Sequence, residues 1–117
     1  MKKQNGFSFI ELLVTISIIG IIAAVGLATY STSQQKSRNT KRKADLKQIQ
    51  VALEMCRSEE GTYPTGLNDL TPDYMGELPE DPETGESSDY YFSERTNYTY
   101  TICADEAELE TICYSNP

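Results

Sequence analysis

Residues Phe7 to Tyr30 form a run of 24 residues whose only charge is Glu11, and the run comes after a six-residue basic leader that ends in Gly6. At about 1.5 Å per helical residue, such a run is long enough to cross a hydrocarbon core of roughly 30 Å as one α-helix. Any further domain must be built from the residues beyond that helix. A carboxylate inside a membrane helix costs roughly 2.5 to 3.5 kcal/mol at the centre, so Glu11 needs a partner and a purpose. An ordinary secretory signal would also show two lysines, an apolar stretch and small residues near Ala23 to Gly26. It has no need of a charge five residues beyond a glycine boundary.

The leader Met1-Lys-Lys-Gln-Asn-Gly6, continuing into Phe7-Ser-Phe-Ile-Glu11-Leu-Leu-Val-Thr-Ile-Ser-Ile-Ile-Gly20-Ile-Ile-Ala-Ala24, resembles the class III leader and opening helix of type IV pilins and type II secretion pseudopilins. The resemblance implies that a prepilin peptidase cuts between Gly6 and Phe7 and methylates the new N-terminus at Phe7. It also implies that Glu11 neutralises the N-terminal amine of a neighbouring subunit during filament assembly. A looser likeness covers residues 44 to 92. There Leu78-Pro-Glu-Asp81-Pro, with a later glycine and tyrosines, and Ala52-Leu-Glu54 with Gly61-Thr-Tyr-Pro64, resemble the globular domain and helix end of the major pseudopilin and related pilins. Many pilins carry a proline in the opening helix, whereas this chain has Ala28 and no proline before Pro64.

Charge is divided sharply. Residues 1 to 57 hold nine of the ten basic residues against three acidic ones, and residues 58 to 117 hold Arg95 against fifteen Asp and Glu. Phosphate binding needs clustered Lys and Arg, so no nucleic-acid partner is expected for the distal half. Cations, solvent or basic surfaces suit it better. The cluster Lys36, Arg38, Lys41, Arg42 and Lys43 comes directly after the apolar run. By the positive-inside rule alone it would keep the rest of the chain in the cytoplasm, since the leader offers only Lys2, Lys3 and the amine. The pilin-like leader implies the opposite orientation. Two readings of the cluster stand: a solvated helix face near lipid headgroups, or a surface that meets acidic faces of neighbouring subunits.

Beyond the apolar run, Leu46, Ile49, Leu53 and Cys56 recur at spacings of three and four with Ala52 beside them, a stripe that needs a partner. Gly61 reads as a helix stop, and Tyr63-Pro64 lies outside the helix. One helix from Phe7 to about Glu60 would be about 80 Å long, more than so small a domain can cover, so its first half is expected to protrude. Gly20 and Gly26 each cost about 0.5 to 1 kcal/mol relative to alanine and read equally as hinge points or as small residues for helix packing. A short helical turn is expected near Asn68 to Tyr74, with Thr71 as cap and Pro72 in its first position. Strands are expected at Tyr90 to Ser93, Tyr98 to Cys103 and Glu110 to Tyr114. The fold class is α+β, a long N-terminal α-helix whose first half is transmembrane and whose second half packs on a small antiparallel β-sheet. The segments are a leader (1–6), a transmembrane or filament-core half-helix (7–30), and the remaining helix with its sheet domain (31–117).

The loop from Leu78 to Tyr91 is rich in turns and acid. Some pseudopilins hold calcium near this position, and the resemblance offers Asp81, Glu83, Glu86, Ser88 and Asp89 as its oxygen ligands. The spacing is not an EF-hand, because the twelfth residue of a loop starting at Asp81 is Phe92. A solvated acidic loop is the plainer reading. The chain has no histidine, no glycine-rich phosphate loop and no metal-spaced cysteine pair, so an enzyme is not expected.

Three cysteines leave one unpaired. If Tyr98, Tyr100 and Ile102 face the helix, as do Ile112 and Tyr114, then Cys103 and Cys113 share the other face of the sheet and Cys56 is a buried thiol in the helix stripe. Chain entropy favours the alternative, since the short loop is worth roughly 2.5 to 3 kcal/mol and a bridge from Cys56 to Cys113 about 4. Geometry must choose among Cys103 with Cys113, a bridge from Cys56, and no bridge.

By the resemblance, the chain is a pilin-like structural subunit. It would be a single-pass cytoplasmic-membrane precursor in lipid, processed by prepilin peptidase, and then assembled with identical or related subunits by pilus or secretion machinery into an extracellular or periplasmic filament. The alternative within the family is a pseudopilin of a type II secretion system. The alternative of another class is a membrane-anchored binding domain that never polymerises. The N-terminus of the membrane-bound protein discriminates: Phe7 for a pilin, Met1 for a plain anchor.

Overall fold

Helix α1 runs unbroken over Phe9–Glu60 in a computed structural model of the chain, which describes residues 1–3, 5–105 and 107–117. The chain divides into two units, Met1–Gln34 and Gln35–Pro117, and α1 contributes to both.

In the first unit the side chains of the apolar run are all exposed, from Phe7 to Tyr30. Beyond the first turn of α1 their backbone N–H groups are paired inside the helix, as hydrocarbon requires. Between Glu11 and Tyr30 the polar side chains are Thr15, Ser17 and Thr29, and each turns its hydroxyl onto a helix carbonyl. Thr15 donates to Glu11 O and Ser17 to Leu13 O, both at 2.7 Å, and Thr29 donates to Val25 O at 3.3 Å. The helix passes through Gly20 and Gly26 without interruption. A Cβ at either position would meet nothing within 4 Å, so the fold of the single chain makes no demand for glycine there.

In the second unit the expected stripe is the core face of α1: Leu46, Ile49, Ala52, Leu53 and Cys56 are buried. The helix stops at Gly61, which sits at φ +80 and donates its N–H to Arg57 O at 2.8 Å. That left-handed cap is the conformation glycine adopts without a Cβ penalty. A 3-10 turn spans Leu67–Leu70 and sends both leucines into the core. It overlaps the turn expected near Asn68 to Tyr74 and is held by Asp69, which accepts the Gly66 N–H at 3.0 Å and the Thr65 hydroxyl at 2.8 Å. Thr71 ends this 3-10 turn, and a further turn follows over residues 71–74, closed by the Tyr74 N–H on Leu70 O at 3.0 Å.

Strands β1 (Tyr90–Arg95), β2 (Tyr100–Ala104) and β3 (Ile112–Ser115) form an antiparallel sheet in that order. Strand β2 starts later than Tyr98, the expected position. The Thr96 hydroxyl oxygen accepts the N–H of Tyr98 at 3.2 Å and of Thr99 at 2.9 Å, which closes a turn and leaves Tyr98 exposed. From Tyr100 onward the alternation is regular. Tyr100, Ile102 and Ala104 join Tyr90 and Ile112 in the core with the helix stripe. On the opposite face, Cys103 and Cys113 are directly paired across β2 and β3 and joined by a disulfide, with Cα atoms 4.2 Å apart. Cys56 is a buried free cysteine, and desolvation pushes its thiol up.

Leu53 is fully buried and Val51 is 61% exposed on the same helix. Leu53→Ala is expected to lower the stability of the second unit by about 2 to 5 kcal/mol, and Val51→Ala to change it by less than about 0.5 kcal/mol. Thermal unfolding of the full chain in detergent, monitored by circular dichroism, checks both.

Candidate functional site

Gly6 and Phe7 lie in exposed, irregular chain before the first turn of α1. A Cβ at Gly6 would meet nothing within 4 Å, so folding gives no reason for glycine at this position. Ser8 caps the helix. Its hydroxyl oxygen accepts the Glu11 N–H at 3.3 Å, and a Glu11 carboxylate oxygen accepts the Ser8 N–H at 2.7 Å. This reciprocal box satisfies two N–H groups that a first turn leaves open and holds a carboxylate at the positive end of the helix dipole. The pattern Ser8-x-x-Glu11 before an apolar run is its sequence signal. The family resemblance places the partner of Glu11 in another subunit, whereas the carboxylate also has one in its own chain.

The second cluster surrounds Arg42. The core stripe of α1 continues toward the N-terminus at the same spacing, but its positions there are polar: Asn39, Arg42 and Asp45 are all buried. The Arg42 guanidinium, with no exposed surface, donates in a fork to Asp81, from Nε at 2.5 Å and from Nη2 at 2.9 Å. Its Nη1 donates to Asn39 at 3.0 Å and to Glu108 at 3.5 Å. Arg38 makes a second fork to Glu108 at 2.5 and 2.8 Å. The Asn39 side chain brackets the Glu108 backbone, accepting its N–H at 3.0 Å and donating to its carbonyl. Lys41 pairs with Asp45 at 2.8 Å and Lys43 with Glu110 at 2.6 Å. Tyr90 donates its hydroxyl to Asp45 at 2.7 Å.

These contacts give most of the basic cluster a third setting, while Lys36 stays on the exposed face. Arg38, Lys41, Arg42 and Lys43 meet acidic groups of their own chain. The signal for this was the pairing of a basic helix with an acidic remainder.

The pKa directions reflect the geometry. The hydrogen bond from Arg38 holds the Glu108 carboxyl down at about 2. Burial alone would raise Asp81, but the Arg42 guanidinium and the backbone N–H groups of Glu83 and Thr84 outweigh it and hold that carboxyl below its usual range. The hydrogen bond to Asp81 in turn raises Arg42 and keeps it charged.

The residues offered as calcium ligands lie around this network. Asp81 is fully buried on Arg42, and its Oδ1 also accepts the Glu83 N–H at 2.8 Å and the Thr84 N–H at 3.3 Å. Glu83 leans on Arg42 at 3.3 Å and on Arg38 at 3.8 Å. Asp89 accepts the Thr84 hydroxyl, while Glu86 and Ser88 are exposed. As arranged, these side chains do not fit a calcium ion, because the central carboxylate already holds a guanidinium. Among the described residues, no group of three His, Cys, Asp or Glu is placed to hold a metal.

The profile of the prokaryotic N-terminal methylation motif matches residues 1–27, the segment that holds Gly6, Phe7, Ser8 and Glu11. The chain is 31% identical over 77 residues to a probable minor fimbrial protein of Dichelobacter nodosus, an alignment covering 65% of this chain and 48% of that protein. It is 30% identical over 98 residues to the type II secretion system core protein G of Vibrio cholerae, covering 70% of this chain and 67% of that one. The chain belongs to the family of type IV pilins and type II secretion pseudopilins. This pilin-family chain is also 31% identical over 68 residues to the type IV major pilin protein PilA of Myxococcus xanthus, covering 58% of it and 31% of that protein. It spans about half the length of the minor fimbrial relative. No solved structure shows a significant match to it.

Removing Asp81 from this pilin-family domain would leave a buried guanidinium without its forked partner. Asp81→Ala is expected to cost about 3 to 5 kcal/mol, measured by urea unfolding of the full chain in detergent. A depressed carboxyl stabilises the fold in full above its unfolded pKa and loses that contribution as pH falls through its folded one. For Glu108 the window runs from 4.5 down to about 2. Melting temperatures taken between pH 7 and pH 2 should fall through that window, and Glu108→Gln should make the fall shallower.

Proposed function

We propose that this chain is the precursor of a filament subunit, cut by prepilin peptidase after Gly6, N-methylated at Phe7, and assembled from the cytoplasmic membrane by pilus or secretion machinery. The observation that carries the reading is the methylation motif over residues 1–27, set on an apolar run, Phe7 to Tyr30, whose side chains are all exposed. Before assembly, lipid covers that run. In a filament, the same run from other subunits replaces the lipid. Lipid tails are as apolar as the helix itself, so hydrophobicity cannot drive the exchange, and close packing with specific polar contacts must do so. Gly20 and Gly26, unneeded by the single chain, permit close approach of a second helix.

Glu11 supplies the polar contact. Among the described residues its hydrogen-bond donor is the N–H of Ser8, which leaves lone pairs for the Phe7 amine that cleavage creates on another subunit. The second reading is a type II secretion pseudopilin. It is favoured by the fuller alignment to core protein G, 67% of that protein against 48% of the minor fimbrial one.

Glu11→Leu removes a carboxylate that costs up to roughly 3 kcal/mol in lipid, and leaves the neighbouring amine unpaired. The variant is expected to accumulate in the membrane with Phe7 trimmed and methylated, and to form no filaments. N-terminal mass spectrometry and electron microscopy check the two halves. Filaments built of the variant alone would remove the role of Glu11, and a membrane-bound protein that retains Met1 would remove the processing.

A further inference from the structure

Five oxygen atoms from four residues surround the Arg42 guanidinium. Asp81 Oδ2 and Oδ1 lie 2.5 and 2.9 Å from Nε and Nη2, and Glu83 Oε2 lies 3.3 Å from Nη2. Asn39 Oδ1 and Glu108 Oε1 lie 3.0 and 3.5 Å from Nη1. A shell made only of oxygens, most of them from carboxylates, is the environment that a hard divalent cation takes in proteins. Here the cation inside the shell belongs to the chain, and it has no exposed surface. Of the five loop residues offered as calcium ligands, only Asp81 and Glu83 touch it, while Asn39 and Glu108 come from elsewhere in the sequence.

The charges follow the same logic. Asp81, Glu83 and Glu108 are balanced by Arg42 and by Arg38, which lies 2.5 Å from Glu108 and 3.8 Å from Glu83. Without Arg42, three acids and one guanidinium would leave a net charge of minus two. One divalent cation neutralises that charge, and a sodium ion does not. The occupant also ties together three stretches of chain, since α1, the acidic loop and the connection between β2 and β3 all meet on it.

We infer that the oxygens around Arg42 are a latent calcium site, in which the guanidinium takes the place of the metal. The domain as it stands needs no calcium to close its two loops on α1. Removing the guanidinium empties the space between the oxygens, and the fold then depends on calcium, because metal binding and loop closure become one step. The inference is independent of the filament reading.

Urea unfolding of the full chain in a non-ionic detergent, with calcium or with EGTA, tests it. The unaltered chain is expected to unfold at the same midpoint in both, and a midpoint that rises saturably with calcium would overturn the replacement. Arg42→Ala is expected to unfold at lower urea in EGTA, or not to fold there. Calcium, half-saturating at about 0.1 to 1 mM as in extracellular sites, should then restore at least half of the lost midpoint, or the folded circular-dichroism spectrum. An Arg42→Ala chain that is as stable as the unaltered one in EGTA, or that calcium leaves unchanged, whether folded or unfolded, would sink the inference. Adding Glu108→Gln to Arg42→Ala is expected to raise the calcium requirement at least tenfold; an unaltered requirement puts the metal elsewhere and refutes the site. Arg42→Lys keeps a cation among the oxygens, so it should lose stability without gaining a calcium response. A response equal to that of Arg42→Ala would show that the side-chain charge does not stand in for the metal.

Discussion

A buried guanidinium organises the domain. Arg42 has no exposed surface, and a charge taken out of water costs several kcal/mol unless it is paired and hydrogen-bonded. Its partners come from three places in the chain: Asn39 one turn back, Asp81 with Glu83 in the acidic loop, and Glu108 between β2 and β3. Each loop has few apolar residues of its own to hold it, yet each must approach α1 to satisfy that one side chain. The planar fork explains why arginine stands here, since a lysine would offer a point charge where two parallel hydrogen bonds are made. Among the described residues, no buried side-chain nitrogen or oxygen lacks a hydrogen-bond partner.

The division of charge along the sequence takes on a different meaning beside this network. Basic residues on α1 and acidic residues in the later loops are its two halves. The apolar part of the same helix stripe, from Leu46 to Cys56, packs on the sheet, so a single helix face holds strands by hydrophobic burial and loops by ion pairs. Acidic residues outside the network, Glu59, Asp73 and Glu94 among them, remain on the surface.

Much of the fold is readable in the residues because it depends on local spacing. Leu46, Ile49, Leu53 and Cys56 declare a helix face by recurring every three or four positions, and Gly61 ends that helix for reasons contained in one turn. The alternation of Tyr100, Ile102 and Ala104 places Cys103 away from the core. The features that escape such a reading depend on distant partners. Arg42 looks like a surface residue, since charged side chains are almost never fully buried unless paired, and Asp81 is 39 positions away. The early start of the turn at Leu67 and the late start of β2 escape it for a different reason. Both arise from short side chains, Asp69 and Thr96, that compete for backbone N–H groups.

The bracket between Arg38, Asn39 and Glu108 has a consequence in time. It joins residues 69 and 70 positions apart, near opposite ends of the domain's sequence. During synthesis at about 5 to 20 residues per second, α1 is complete several seconds before Glu108 exists. In that interval the basic half of the helix lacks this carboxylate, while its apolar half can already enter a bilayer. Membrane insertion and domain closure are therefore ordered by the chain itself, with the anchor available first and the last loop needed to finish the fold.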